Sequence, residues 1–324
     1  MMRRKLSCSY FLCFVNLCLF WASSSAAQNR GIPNSEPQAR DVAPIPSTQN
    51  AGQPSGSIST KESWLPPDID RVMPPVGAGV ACSLPAVLQG AGKRIQELVQ
   101  NVDRFTATEV LSHQEVDRSG KPGRPTVVKF DYLVSMTESH DGYLSVDELR
   151  DRNRSLDRFP AHIATTGTPS LVLIFHPHYI GDFKTNCEGL GEWHGQPAWQ
   201  VRFEQRADRP NRSCTFVVDG RAYDARLRGR AWILANSFQV SRLETDLMEP
   251  IPKIRLRTDH EAIEYSPVSF SGNKAPLWLP SSVELYMDFR GHRFYRKHAF
   301  TNFMLFSVDT QSHISQPKDN PTGP

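Results

Sequence analysis

The sequence predicts an α+β fold that is mostly β, an antiparallel sheet packed on helices. Two observations carry this. Strand-like segments with period-two apolar alternation recur, separated by turn signals about every 8 to 14 residues. Ahead of them stands one clearly amphipathic helix, with a second short helical stretch between the early and late strands.

The chain opens on a basic cluster, Arg3, Arg4 and Lys5, followed by an apolar run from Leu6 to Trp21 and small residues from Ala22 to Ala27. This is the pattern of a cleavable secretory signal peptide over residues 1–27. The apolar run is about 16 residues, shorter than the roughly 20 that span a bilayer as a helix. Residues 28–80 are rich in Pro, Gly, Ser, Gln and Asn and lack either period. Such a leader cannot bury enough apolar surface to offset its conformational entropy, and is expected to be disordered. The short apolar pieces near Trp64, Leu65 and Val72 could dock on the domain. A folded domain is expected over residues 81–310, with a disordered tail over 311–324. Export makes the mature protein periplasmic or extracellular, and no second stretch is long enough to form a transmembrane helix.

Formal net charge is +3 for the whole chain, and the basic n-region contributes to it. The mature chain is near neutral, which excludes the strong basic field of a nucleic-acid binder. Removing the signal peptide leaves three cysteines, Cys82, Cys187 and Cys214. In an oxidising compartment, Cys187 and Cys214, both in strand-like segments flanking a hairpin, are the expected disulfide. Closing a loop of about 28 residues would contribute roughly 3 to 4 kcal/mol. The alternative is three buried thiols.

The first helix is expected from about Pro85 to Phe105, with Leu84, Leu88, Ile95, Leu98, Val99 and Val102 on one stripe. Gly90 and Gly92 weaken its first half. Phe105, Ala107, Glu109, Leu111 and His113 then alternate as a strand does. After a turn at Gly120 to Gly123, so do Val128, Phe130, Tyr132, Val134 and Met136. A second helix is expected between Pro169 and Tyr179. Further strands carry Trp199, Val201 and Phe203; Phe216 and Val218; Trp232 and Leu234; Phe238 and Val240; Ile263 and Tyr265; Val283 to Phe289; and Phe294 or Tyr295.

The segment Gly229-Arg230-Ala231-Trp232-Ile233, continued through Phe238 to Glu244, resembles a strand–turn–strand of the LolA/LolB-like lipoprotein-carrier superfamily. Leu277-Trp278-Leu279-Pro280 with Val283 to Tyr286 resembles the next hairpin, and the opening helix into Phe105 to Glu109 resembles the start of that fold. More narrowly, Cys82 to Asp309 is similar to uncharacterised secreted proteins of acidobacterial type, for which no activity is implied. The superfamily resemblance implies a curved antiparallel half-barrel whose concave face is covered by the two helices. It implies an apolar cavity, with Trp199, Phe203, Trp232 and Leu234 near it, and a lipid or lipoprotein acyl chain as ligand. The long leader and the insertion from Asp141 to Thr168 depart from the carriers.

Chemistry-bearing patterns are sparse. Asp141 to Ser145 with Glu148 mimics part of a calcium loop, but Thr137 and Ser139 stand at its first ligand positions. His176 and His178 flank Pro177 without a Cys to complete a metal set. His292 and His298 lie among Arg290, Arg293, Arg296 and Lys297, which reads as a solvated sheet face or a basic edge for an anionic partner. G-x-S-x-G, phosphate-loop and H-E-x-x-H phrases are absent. The expectation is a non-enzymatic binding protein with no catalytic residues, cofactor or metal. The rival expectation is a module with a filled core that binds an envelope protein.

Overall fold

A computed structural model describes residues 9–12, 66–138, 144–151, 159–271, 275–307 and 313–315. The expected helix is α1 (Leu84–Asn101), with Pro85 in its first turn. Val87, Ala91, Ile95, Leu98 and Val99 are buried, so the i, i+4 stripe is the face that packs.

Strands β2 (Arg104–Val116), β3 (Thr126–Glu138), β4 (Leu144–Arg150), β5 (Phe183–Trp193), β6 (Gln196–Gln205), β9 (Leu227–Leu234), β10 (Val240–Leu247), β11 (Leu256–Val268), β12 (Leu277–Phe289) and β13 (His292–Ser307) form one sheet. Their spatial order is β4-β3-β2-β13-β12-β11-β10-β9-β6-β5. Every neighbouring pair is antiparallel. The chain-distant strands β2 and β13 are neighbours inside the sheet, with Leu111 opposite His298. A short hairpin, β7 (Thr215–Val218) with β8 (Arg221–Asp224), stands apart from this sheet. β1 (Ser9–Leu12), within the expected signal peptide, lies parallel to β7. β14 (His313–Ser315), within the expected tail, pairs with the end of β13. Among the described residues no helix is long and apolar enough to cross a membrane.

The second helix expected over Pro169 to Tyr179 is instead a 3-10 helix, Thr168–Phe175. Leu171, Val172, Leu173, Ile174 and Phe175 are all buried. Five consecutive buried side chains give no polar stripe to face water, so this segment is threaded through the core rather than laid on it as an amphipathic α-helix.

One face of the sheet carries α1 and the main core. On β9 that face presents Leu227, Gly229, Ala231 and Ile233. Gly229 is small because Phe203 of β6 lies over it: a Cβ there would stand 2.2 Å from the ring and 2.4 Å from the Glu244 carbonyl oxygen. Gly90 serves α1 the same way, leaving room for the ring of Phe238, whose left-handed backbone (φ 58°) turns it towards the helix. The glycines that weaken the helix locally are therefore what let it dock. Gly229→Val is expected to destabilise the protein by about 3 kcal/mol or more, since the blocked side includes backbone; urea denaturation measures it.

Candidate functional site

Beneath α1, small voids of about 10 Å³ lie beside Leu173 and beside Phe105. One larger space opens between the C-terminal half of α1 and the β10–β12 part of the sheet, with a volume of about 480 Å³. Its floor is Ile95, Leu98, Val172, Val240, Tyr265 and Leu277, all buried. Trp278, partly buried, stands at its side. Arg94, Glu97, Asn101 and Gln239 form a polar rim. Arg94 donates from Nη1 to Glu97 at 2.7 Å and from Nε to the Ser237 carbonyl at 2.9 Å, tying the helix to the β9–β10 turn.

The same sheet face becomes polar towards β4 and the start of β13. Glu109 of β2 is fully buried. It accepts from Arg150, one of the two bonds being 3.0 Å, and from Nδ1 of His298 at 2.6 Å. Nε2 of His298 faces the Thr165 hydroxyl at 3.2 Å. Burial alone would raise the Glu109 carboxyl, but Arg150 and His298 outweigh it and hold the group at about 2. Burial pushes His298 down, against the pull of Glu109. A neutral imidazole donating to Glu109 and accepting from Thr165 satisfies both bonds. Beside it, Arg296 donates to Nδ1 of His113 and to the carbonyls of Ile163 and Pro160. Burial and the Arg296 charge lower His113 to about 3.

This geometry is that of a clamp. Arg296, His298 and Glu148, which accepts from the Gly167 amide, together hold residues 159–167 on the sheet. Thr165 is 2 % exposed, so the carboxylate–imidazole–hydroxyl line meets no solvent-facing cleft.

The opposite sheet face is crossed by the end of the leader. Pro66 to Val80, expected to be disordered, forms a strap over β10, β9, β6 and β5. Ile69 is 1 % exposed; its amide donates to Asp246 and its carbonyl accepts from Arg230. Asp68 and Asp70 pair with Arg228, and Asp70 also with Arg202. Gln200 donates to the Pro75 carbonyl, and the Gly77 amide to that of Leu190. Of the apolar pieces expected to dock, Trp64 and Leu65 lie outside the described residues and Val72 is exposed; the anchorage is instead Ile69 with charge pairs and backbone bonds.

The disulfide corrects the expected pairing: Cys187 is bonded to Cys82, not to Cys214. β5 and the segment at Cys214 do not flank one hairpin; β5 pairs with β6, and Cys187 is opposite Val201. Cys187 lies on the edge strand that the strap reaches, and Cys82 ends the strap. Cys214 is buried in the main core.

The four residues expected near a cavity divide between the two faces. Phe203 is in the main core against Phe175 and Phe183, and Trp199 packs on the same core. Trp232 and Leu234 cluster on the other face with Ala198 and Trp193. Positions 232 and 234 have the opposite parity to Ala231 and Ile233, which face the main core. None of the four lines the 480 Å³ groove. The groove residues Ile95, Leu98, Val240, Tyr265 and Leu277 were legible as core positions, but nothing in their spacing marks a boundary of empty space.

The basic strand is also different from its expected solvated form. Arg296 and His298 are buried, Arg293 pairs with Asp288, Lys297 with Glu284 and Arg290 with Asp219. The mimic of a calcium loop, Asp141 to Tyr143, lies outside the described residues. His176 is buried, and its Nδ1 faces the His178 amide at 3.3 Å. Among the described residues no group of three or more His, Cys, Asp or Glu is placed to hold a metal.

No protein-family model and no curated protein matches the chain. Among solved structures it is similar to a LolA superfamily protein from Nitrosomonas europaea, at 10 % identity and TM-score 0.34, over 71 % of this chain and 96 % of that one. It is also similar to an outer membrane lipoprotein-sorting protein domain from Vibrio parahaemolyticus, at 8 % identity and TM-score 0.38, over 68 % and 94 %. A DUF1329 family protein from Desulfovibrio piger gives 11 % identity and TM-score 0.37, over 69 % and 93 %. At these values no residue's role is carried across.

Proposed function

We propose that this is a non-enzymatic exported binding protein that holds an apolar ligand, such as an acyl chain, in the groove between α1 and β10–β12. The observation that carries this reading is the 480 Å³ space with a buried apolar floor. That volume lies in the roughly 300–1,000 Å³ range of small-molecule sites. Each methylene moved from water into the groove would contribute about 0.8 kcal/mol, so shape and burial suffice without covalent chemistry. The disulfide agrees with export, since such bonds persist in oxidising compartments.

The test is a titration with N-phenyl-1-naphthylamine, an uncharged dye that brightens in apolar sites. Saturable binding is expected, and Leu98→Trp, which fills the groove, should weaken it at least ten-fold. Unsaturable binding, or a Leu98→Trp variant that binds as well as the parent, would remove the groove as the site.

The reading of an envelope-protein partner draws on a different observation. The strap carries exposed apolar side chains, with Val72 74 % and Met73 59 % exposed. A surface of that kind fits a protein contact, and it lies on the sheet face away from the groove.

A further inference from the structure

We propose that the groove selects an amphiphile with an uncharged, hydrogen-bonding head group over one with an ionised head. This rests on the groove being a ligand site. The argument is the chemistry of the rim. Among the described residues lining the groove, Arg94 and Glu97 are the charged ones, and they are bonded to each other at 2.7 Å. The guanidinium is further held by the Ser237 carbonyl, which fixes it along the helix. Asn101 is fixed too, donating to the Glu97 carbonyl at 2.6 Å. The described rim therefore carries no net charge to offset an ionised head.

A carboxylate drawn to the mouth of this groove would lose water and find Glu97 already occupying the cation. Burying a charge without a partner is costly, whereas a hydroxyl or ester loses far less and is matched by amides. Gln239 and Asn101 place amides at the rim, and the indole of Trp278 offers a flat apolar side. An acylglycerol or a neutral glycolipid has this combination of one apolar chain and a polar, uncharged head.

The experiment is displacement of N-phenyl-1-naphthylamine from the purified protein at pH 7 by 1-monopalmitoylglycerol and by palmitate, which differ only in the head. The neutral lipid should displace the dye at a concentration at least ten-fold lower. In Glu97→Gln the guanidinium loses its carboxylate, and palmitate should improve to within about three-fold of the neutral lipid. In Arg94→Gln palmitate should remain the weaker ligand. Palmitate equal to or better than the neutral lipid on the parent protein would overturn the head-group inference while leaving the site intact. A protein that binds neither dye nor lipid would instead remove the site itself. Should Glu97→Gln fail to fold, the ranking on the parent protein decides.

Discussion

Replacing Glu109 by Ala is expected to destabilise the protein by about 3–5 kcal/mol, because it strands Arg150 in a buried site. The carboxylate is 0 % exposed and is the shared acceptor of Arg150 and His298. Among the described carboxylates Arg150 then retains the longer approach to Glu148, at 3.6 Å, beside the ring faces of Tyr132 and Phe159. Arg150→Met in the Glu109→Ala background should recover part of the loss, since removing both charges is milder than leaving one. The same network sets the response to acid. Below pH 6.5 an unfolded chain protonates His113, whereas the folded one resists until about 3. Below 4.5 it protonates Glu109, which stays ionised in the fold until about 2. In both windows the unfolded state binds more protons, so stability falls as pH falls. Urea denaturation at pH 7, 5 and 3 should show a progressive loss. The Glu109→Ala variant should lack the part of the loss that falls below pH 4.5. A Glu109→Ala protein as stable as the parent at pH 7 would contradict the clamp.

Removing the Cys82–Cys187 disulfide by a double change to Ala is expected to cost about 4–5 kcal/mol in the chain-entropy model. The separation of 105 residues makes the closed loop long. The bond also joins the strap to edge strand β5, so its loss should loosen Pro66 to Val80 from the sheet. Cys214→Ala, a change at a buried position outside the bond, should cost far less. Chemical denaturation of the three proteins gives the ranking, and peptide mapping without reduction gives the pairing directly. A Cys187–Cys214 peptide, or equal losses for the double change and for Cys214→Ala, would refute it.

Much of the fold was legible because side-chain period is local. The strand parity from Phe105 to His113 and from Phe130 to Val134 appears in the structure as read, as does the second half of the α1 stripe from Ile95 to Val102; in the first half Val87 and Ala91 are buried, and Leu84 and Leu88 only partly. Long-range arrangement was less so. Glu109 read as one member of an alternating strand, and only the return of β13 beside β2, far along the chain, brings His298 to it. The basic cluster read as solvated because its partners, the carbonyls of Pro160 and Ile163, belong to a segment with no period of its own. The cysteine pairing failed for a related reason: proximity along the chain favoured Cys214, whereas a strap with little apolar content delivers Cys82. The superfamily resemblance implies a cavity near Trp199, Phe203, Trp232 and Leu234, and none of the four lines the groove. In the structure Phe203 fills the space that Gly229 leaves, and the groove lies between Ile95 and Leu98 of α1 and Val240, Tyr265 and Leu277 of the sheet.

The central claim is that the groove carries an apolar ligand, and the most direct measurement is mass spectrometry of an organic extract of the natively purified protein. A single-chain lipid near one equivalent per protein, depleted in Leu98→Trp, is the predicted result. An extract without lipid, from a protein that also takes up no added monopalmitoylglycerol, would contradict it.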